Sequence, residues 1–148
     1  MKKLQCWKTF GLIIKPKNKK WSKTHCMLPT PYKLSENKYR IFYGTRNSDN
    51  QSSISFTDIV FGKKIKILNS PNSPSLSHGS LGNFDDNGVL PSSIIKKNRD
   101  ILMYYIGWQP RVTTRYSLIA GLAVSKNCNK FFRKQQFPIL KNNEKEQI

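Results

Sequence analysis

Apolar and polar positions alternate in short runs along this chain, and clusters of Asn, Ser, Gly and Pro separate the runs. Eight runs stand out, at 28–33, 39–45, 53–59 and 64–68, and again at 90–96, 101–108, 118–125 and 131–134. They are short, rich in aromatic and β-branched residues, and bounded by turn formers such as Ser35-Glu36-Asn37. That combination predicts strands. No segment keeps an i, i+3, i+4, i+7 apolar stripe long enough for a helix. A looser alternation over 6–15 predicts one more strand, with Phe10, Leu12 and Ile14 on one face.

The two groups of four echo each other. Leu28-Pro29-Thr30 matches Leu90-Pro91-Ser92, an offset of 90 − 28 = 62. At that offset Ile41-Phe42-Tyr43 falls on Met103-Tyr104-Tyr105. A fixed-period echo marks a stacked repeat. Four antiparallel strands per repeat make a β-propeller blade. The expected fold is therefore all-β, with two four-stranded antiparallel blades of an incomplete propeller. Blade one spans about 21–68, and blade two about 84–137. Propellers close with roughly four to eight blades, so missing blades or self-association are expected to cover the exposed blade faces. Ten side chains are expected inside: Leu12, Ile41, Tyr43, Ile54, Phe56, Ile94, Tyr104, Ile106, Leu122 and Val124. The Ser/Asn/Pro-rich stretch 69–82 reads as a long loop, functional or mobile. The polar end, 141–148, is expected to fray.

Charge adds a question. The chain carries 26 basic and 8 acidic residues in 148, a net +18. Lysine dominates, scattered in twos and threes beside Asn, so the charge reads as solvated surface. Nucleic acid is therefore not the expected partner, and a basic nucleic-acid-binding module stands as an alternative reading, beside a non-catalytic carbohydrate-binding propeller piece. Cys6, Cys26 and Cys128 form no CxxC pair, so no metal site is expected. No cofactor is expected either. An odd number of cysteines fits a reducing compartment. No run reaches the ~20 apolar residues of a membrane span, so no membrane partner is expected. The expected location is cytoplasmic.

Alternating strand direction sorts the loops onto two ends. One end collects Ser35, Lys38, Lys97 and Asp100, ordinary charged hairpin tips. The other collects His25 and Arg46 from the first repeat and Asp85, Asp86, Asn87, Trp108 and Arg111 from the second. Carboxylates, amides, guanidinium groups and an indole are a set that binds sugars: planar polar groups take hydroxyls, and a flat ring takes the apolar side of a pyranose. Each residue has a second reading. Asp85 and Asp86 are either a general base or sugar-hydroxyl acceptor, or an Asx turn at a strand entrance. His25 is a substrate donor or a structural residue. Arg46 holds a ligand or an internal ion pair. Trp108 is a stacking platform or a packing residue.

The run from His25 to Pro31, Tyr39 to Arg46, Phe84-Asp85-Asp86-Asn87-Gly88 and Met103-Tyr104-Tyr105-Ile106-Gly107-Trp108 resembles five-bladed β-propeller glycosidase-like proteins. These are the relatives of the arabinanase/xylosidase and levansucrase/invertase group. The resemblance covers about 21–140. It implies a carbohydrate ligand, a catalytic role for Asp86 and substrate contacts from His25, Arg46, Asp85, Asn87, Trp108 and Arg111. It also implies an N-terminal, truncated copy. Members of that fold are about twice as long, and His25-Cys26-Met27-Leu28-Pro29 stands where a first-blade Asp-Pro acid is expected.

Overall fold

A computed structural model describes residues 6–140, so the fraying expected over 141–148 lies outside the described residues. The described residues form eight strands: β1 (Thr24–Lys33), β2 (Lys38–Arg46), β3 (Ser52–Val60), β4 (Lys66–Asn69), β5 (Gly88–Lys97), β6 (Asp100–Pro110), β7 (Tyr116–Ser125) and β8 (Phe132–Arg133). The described residues contain no helix, and hence none long and apolar enough to cross a membrane. β1 to β4 form one antiparallel meander and β5 to β8 a second. The fold is all-β, two blades of an incomplete propeller.

A single parallel pairing, Ser52 with Gly88, joins the blades into one sheet path. The outer edge of β3 is shared by three segments. β4 covers Asp58 to Val60, Leu76 bridges to Ile54, and Gly88 meets Ser52. A bare strand edge leaves amides and carbonyls unpaired, and this arrangement satisfies β3 along most of its length. The 69–82 loop is thus part of the architecture. Leu76 is buried within it, the Ile54 amide donates to the Leu76 carbonyl at 2.8 Å, and the Phe131 amide donates to the Ser75 carbonyl at 2.9 Å.

The core lies between the blades. Phe42, Ile54 and Phe56 of blade one meet Val89, Met103, Tyr105, Ala123 and Phe131 of blade two, with Leu76 and Phe84 between them. Phe42 makes edge contacts with both Phe56 and Phe131 at 5.7 Å. A buried ion pair clamps the blades. The Arg40 guanidinium donates to both Asp58 oxygens, at 2.7 and 2.8 Å, and to the Cys128 carbonyl at 2.7 Å, while lying 3.6 Å over the Phe56 ring.

Three expectations are corrected. Residues 6–15 form no strand, and Leu12 is 75% exposed. Gly11 takes a positive φ of 81° and Pro16 lacks a ladder donor, so the segment cannot run as a regular strand. It lies instead across the far face of blade one, where Ile13 and Ile14 border a cavity with Tyr43. Second, the phase of blade two is inverted. Met103, Tyr105 and Ala123 face the core, whereas Tyr104, Ile106, Leu122 and Val124 are half-buried on the opposite face. That second face also carries Ile95, Leu118 and Phe132, which are exposed. A one-residue slip exchanges faces, and with apolar residues on both faces the pattern cannot select between them. Third, Ile41 and Ile94 are half-buried rather than enclosed. Tyr43, Ile54 and Phe56 are buried as expected.

Candidate functional site

One row of paired residues crosses both blades at one end. Thr24 pairs with Arg46, Arg46 with Ser52, Ser52 with Gly88, and Gly88 with Trp108. The row follows from strand alternation: it gathers the starts of β1, β3 and β5 and the ends of β2 and β6. Arg46 and Trp108 come together there, with His25 and Asn87 each next to the row in sequence and Asp86 one residue further out.

Arg46 and Trp108 make direct contact, the guanidinium standing 5.2 Å from the indole centroid. The ring attracts a cation through its negative face. Arg46 Nη1 donates to Asn50 Oδ1 at 2.8 Å, while its buried Nε has no partner. Trp108 is 9% exposed, and its Nε1 donates to Ser52 Oγ at 2.8 Å. Ser52 Oγ donates onward to the Val89 carbonyl at 3.1 Å. A Cβ on Gly88 would collide with both Ser52 Oγ and Trp108 Nε1, so glycine is required for the indole to sit over the strand. The Asn87 carbonyl accepts from the Ser52 amide at 3.2 Å.

Asp86 is half-exposed in the turn before β5. Its Oδ2 accepts the Gly82 amide at 2.9 Å, and its own amide donates to the Asn83 carbonyl at 3.1 Å. This is the loop-closing arrangement of an acid in a turn, and it leaves Oδ1 free of backbone. Among the described ion pairs none joins Asp86 to His25 or Arg46.

Asp85 points the other way. It is fully buried, and its Oδ2 accepts from Arg133 Nε at 2.8 Å and from the Tyr105 hydroxyl at 3.0 Å, with Arg133 Nη2 forming an ion pair at 2.7 Å. Oδ1 is buried without a partner. The carboxylate lies beneath β6, where a Cβ on Gly107 would strike the Asp85 Cβ and the Phe84 ring. Burial, and then the Asp85 charge, push the Tyr105 phenol far above its ordinary range, so it stays a donor. Asp85 therefore anchors the 69–87 connection to β8 and offers no accessible oxygen.

His25 is exposed, has a positive φ of 61°, and contacts the Thr24 hydroxyl through Nδ1 at 2.8 Å. Arg111 is exposed in the β6–β7 turn, beyond the row. No group of three or more His, Cys, Asp or Glu side chains that could hold a metal occurs among the described residues. Sequence reasoning missed Ser52, which orients the indole, and Arg133, which claims Asp85. Glycines inside β6 and at the start of β5 were the available signal, since a strand glycine marks a close approach.

No protein-family model matches the chain. Uncharacterized proteins from two strains of Mycobacterium tuberculosis are 33% identical over 141 residues, covering 95% of this chain and 47% of each relative. The chain thus spans about half the length of the curated relatives it matches. A solved structure of a glycosyl hydrolase from Bacteroides ovatus superposes with a TM-score of 0.64 at 14% identity, over 85% of this chain and 39% of that one. The likeness is one of fold: the two blades have the architecture of part of a glycosyl hydrolase.

Proposed function

We propose that this chain is a carbohydrate-binding piece of a five-bladed, glycosidase-like propeller, and that sugar binds across the row from Arg46 to Trp108. The observation that carries the reading is the Arg46–Trp108 pair. A half-buried guanidinium rests against an indole at the end where β1, β3 and β5 start and β2 and β6 finish. The half-buried guanidinium suits a sugar hydroxyl, and the part of the indole left open suits the apolar side of the ring. In this reading Asp86 supplies the accessible carboxylate, as acceptor for a hydroxyl or a proton, while His25, Asn87 and Arg111 extend the polar surface around it. Asp85 takes no part in contact.

Glycoside hydrolysis ordinarily uses two carboxylates across the scissile bond. Asp85 cannot serve as the second, being buried and ion-paired. Binding is the activity we assign to this chain, and hydrolysis to a longer form that adds further acids. In that longer form, further blades cover the apolar face formed by Leu118, Leu122, Val124 and Phe132.

The test is a glycan array with the purified protein, repeated at low and high salt. Binding to neutral oligosaccharides that changes little with salt and is lost in Trp108→Ala supports the reading. Binding only to nucleic acid, falling steeply with salt as phosphate contacts require, would replace it with a basic nucleic-acid module.

A further inference from the structure

On the far side of blade one, away from the sugar row, the N-terminal segment forms one wall of an open cavity of about 430 Å³. Lys15, Lys17 and Lys19 line it from the segment, and Tyr43, Thr57 and Ser70 line it from the blade and the loop after β4. No carboxylate is among the described residues that line it. Local cationic density here is unlike the scattered lysines elsewhere, because the segment is held in place. Lys17 Nζ donates to the Pro71 carbonyl at 2.8 Å, Lys19 Nζ to Asn72 Oδ1 at 2.5 Å, and Trp21 Nε1 to the Asn72 carbonyl at 3.2 Å. Each ammonium keeps further N–H groups to give.

The blade side adds a second, independent sign. Tyr43 is 1% exposed, and its buried hydroxyl has the hydroxyls of Ser55 and Thr57 as neighbours but makes no well-aligned hydrogen bond to either. Thr57 in turn shares a hydrogen bond of 2.8 Å with Ser70. A buried hydroxyl with only poorly aligned partners is costly, and a ligand oxygen at this wall would satisfy it better. Three cations opposite a set of hydroxyls is the chemistry that holds a compact oxyanion.

We propose that this cavity is a binding site for the phosphate group of a small phosphorylated molecule, held by Lys17 and Lys19 with the hydroxyls of Tyr43 and Thr57. The electrostatics agree. Burial, and then the charge of Lys19, push the Lys17 ammonium down to about 8, with the half-buried Cys26 the other titratable neighbour. An anion would oppose both effects. Because Lys17 loses its charge as pH rises through about 8, affinity should fall over that interval.

The experiment is titration of the whole protein with orthophosphate, sulfate and glucose 6-phosphate, read by Trp21 fluorescence and calorimetry. All three anions should bind. Glucose 6-phosphate binding at least as tightly as orthophosphate assigns the site to phosphomonoesters, and much weaker binding overturns that assignment in favour of the free ion. Sulfate, whose charge is constant, should bind several-fold more weakly at pH 9.5 than at pH 7. Lys17→Met and Lys19→Met should each lower affinity about tenfold, and Tyr43→Phe should lower it without changing the charge. Lys33→Met, on β1, should leave it unchanged. Trp108→Ala should leave it unchanged too, which separates this site from the sugar row. Absence of saturable binding by any of the three anions, or equal loss in Lys33→Met, overturns the proposal.

Discussion

Asp85 and Asp86 are neighbours in the chain and opposites in the fold. Asp85 is fully buried, with one oxygen accepting from Arg133 Nε and the Tyr105 hydroxyl and ion-paired to the guanidinium. Asp86 is half-exposed and spends one oxygen on a single backbone amide. The difference is a matter of direction: consecutive residues in the turn point to opposite sides, and only one side is solvent. The lesson is that the acid with the most elaborate surroundings is architecture, while its plainer neighbour is left for chemistry. The same logic applies to Asp58, whose two oxygens are both held by Arg40 between the blades.

Substitutions can be ranked on that contrast. The largest loss belongs to the most enclosed pair. Arg40→Met leaves Asp58 charged and buried, and should cost about 3–5 kcal/mol, measured by urea denaturation. Asp85→Asn should cost less, about 2 kcal/mol, because Arg133 still reaches solvent and the Ser77 carbonyl. If Asp85 is architecture, Arg133→Met in the Asp85→Asn background should add less than it does alone. Strict additivity would break the claimed coupling. Tyr105→Phe removes one neutral donor and should cost about 1 kcal/mol. Smallest of all, Asp86→Asn should change stability by less than about 0.5 kcal/mol. A loss from Asp86→Asn as large as that from Asp85→Asn would reverse the comparison.

Much of this architecture was legible beforehand. All eight blade strands could be placed because turn formers bound them, as Ser35-Glu36-Asn37 does between β1 and β2. The end of the blades that gathers Arg46, Asn87 and Trp108 followed from strand alternation alone. What stayed hidden has particular causes. Leu102 to Ile106 is apolar without a break, so period-two alternation could not say that Met103 and Tyr105, rather than Tyr104 and Ile106, face the core. The 6–15 alternation mimicked a strand, but Gly11 and Pro16 deny it a ladder. The role of Asp85 depends on Arg133, which lies 48 residues away and comes near only when β8 closes blade two. No local pattern reports such a contact, although Gly107 hinted that something had to fit beneath β6.

The most direct measurement is calorimetric affinity for the best neutral oligosaccharide from the array, taken on wild type, Asp85→Asn and Asp86→Asn at a temperature where all three are folded. With Asp86 facing the ligand and Asp85 facing the core, Asp86→Asn should weaken binding at least tenfold, about 1.4 kcal/mol. Asp85→Asn should bind as wild type does. Lost binding in Asp85→Asn with full affinity in Asp86→Asn would contradict the account at its centre.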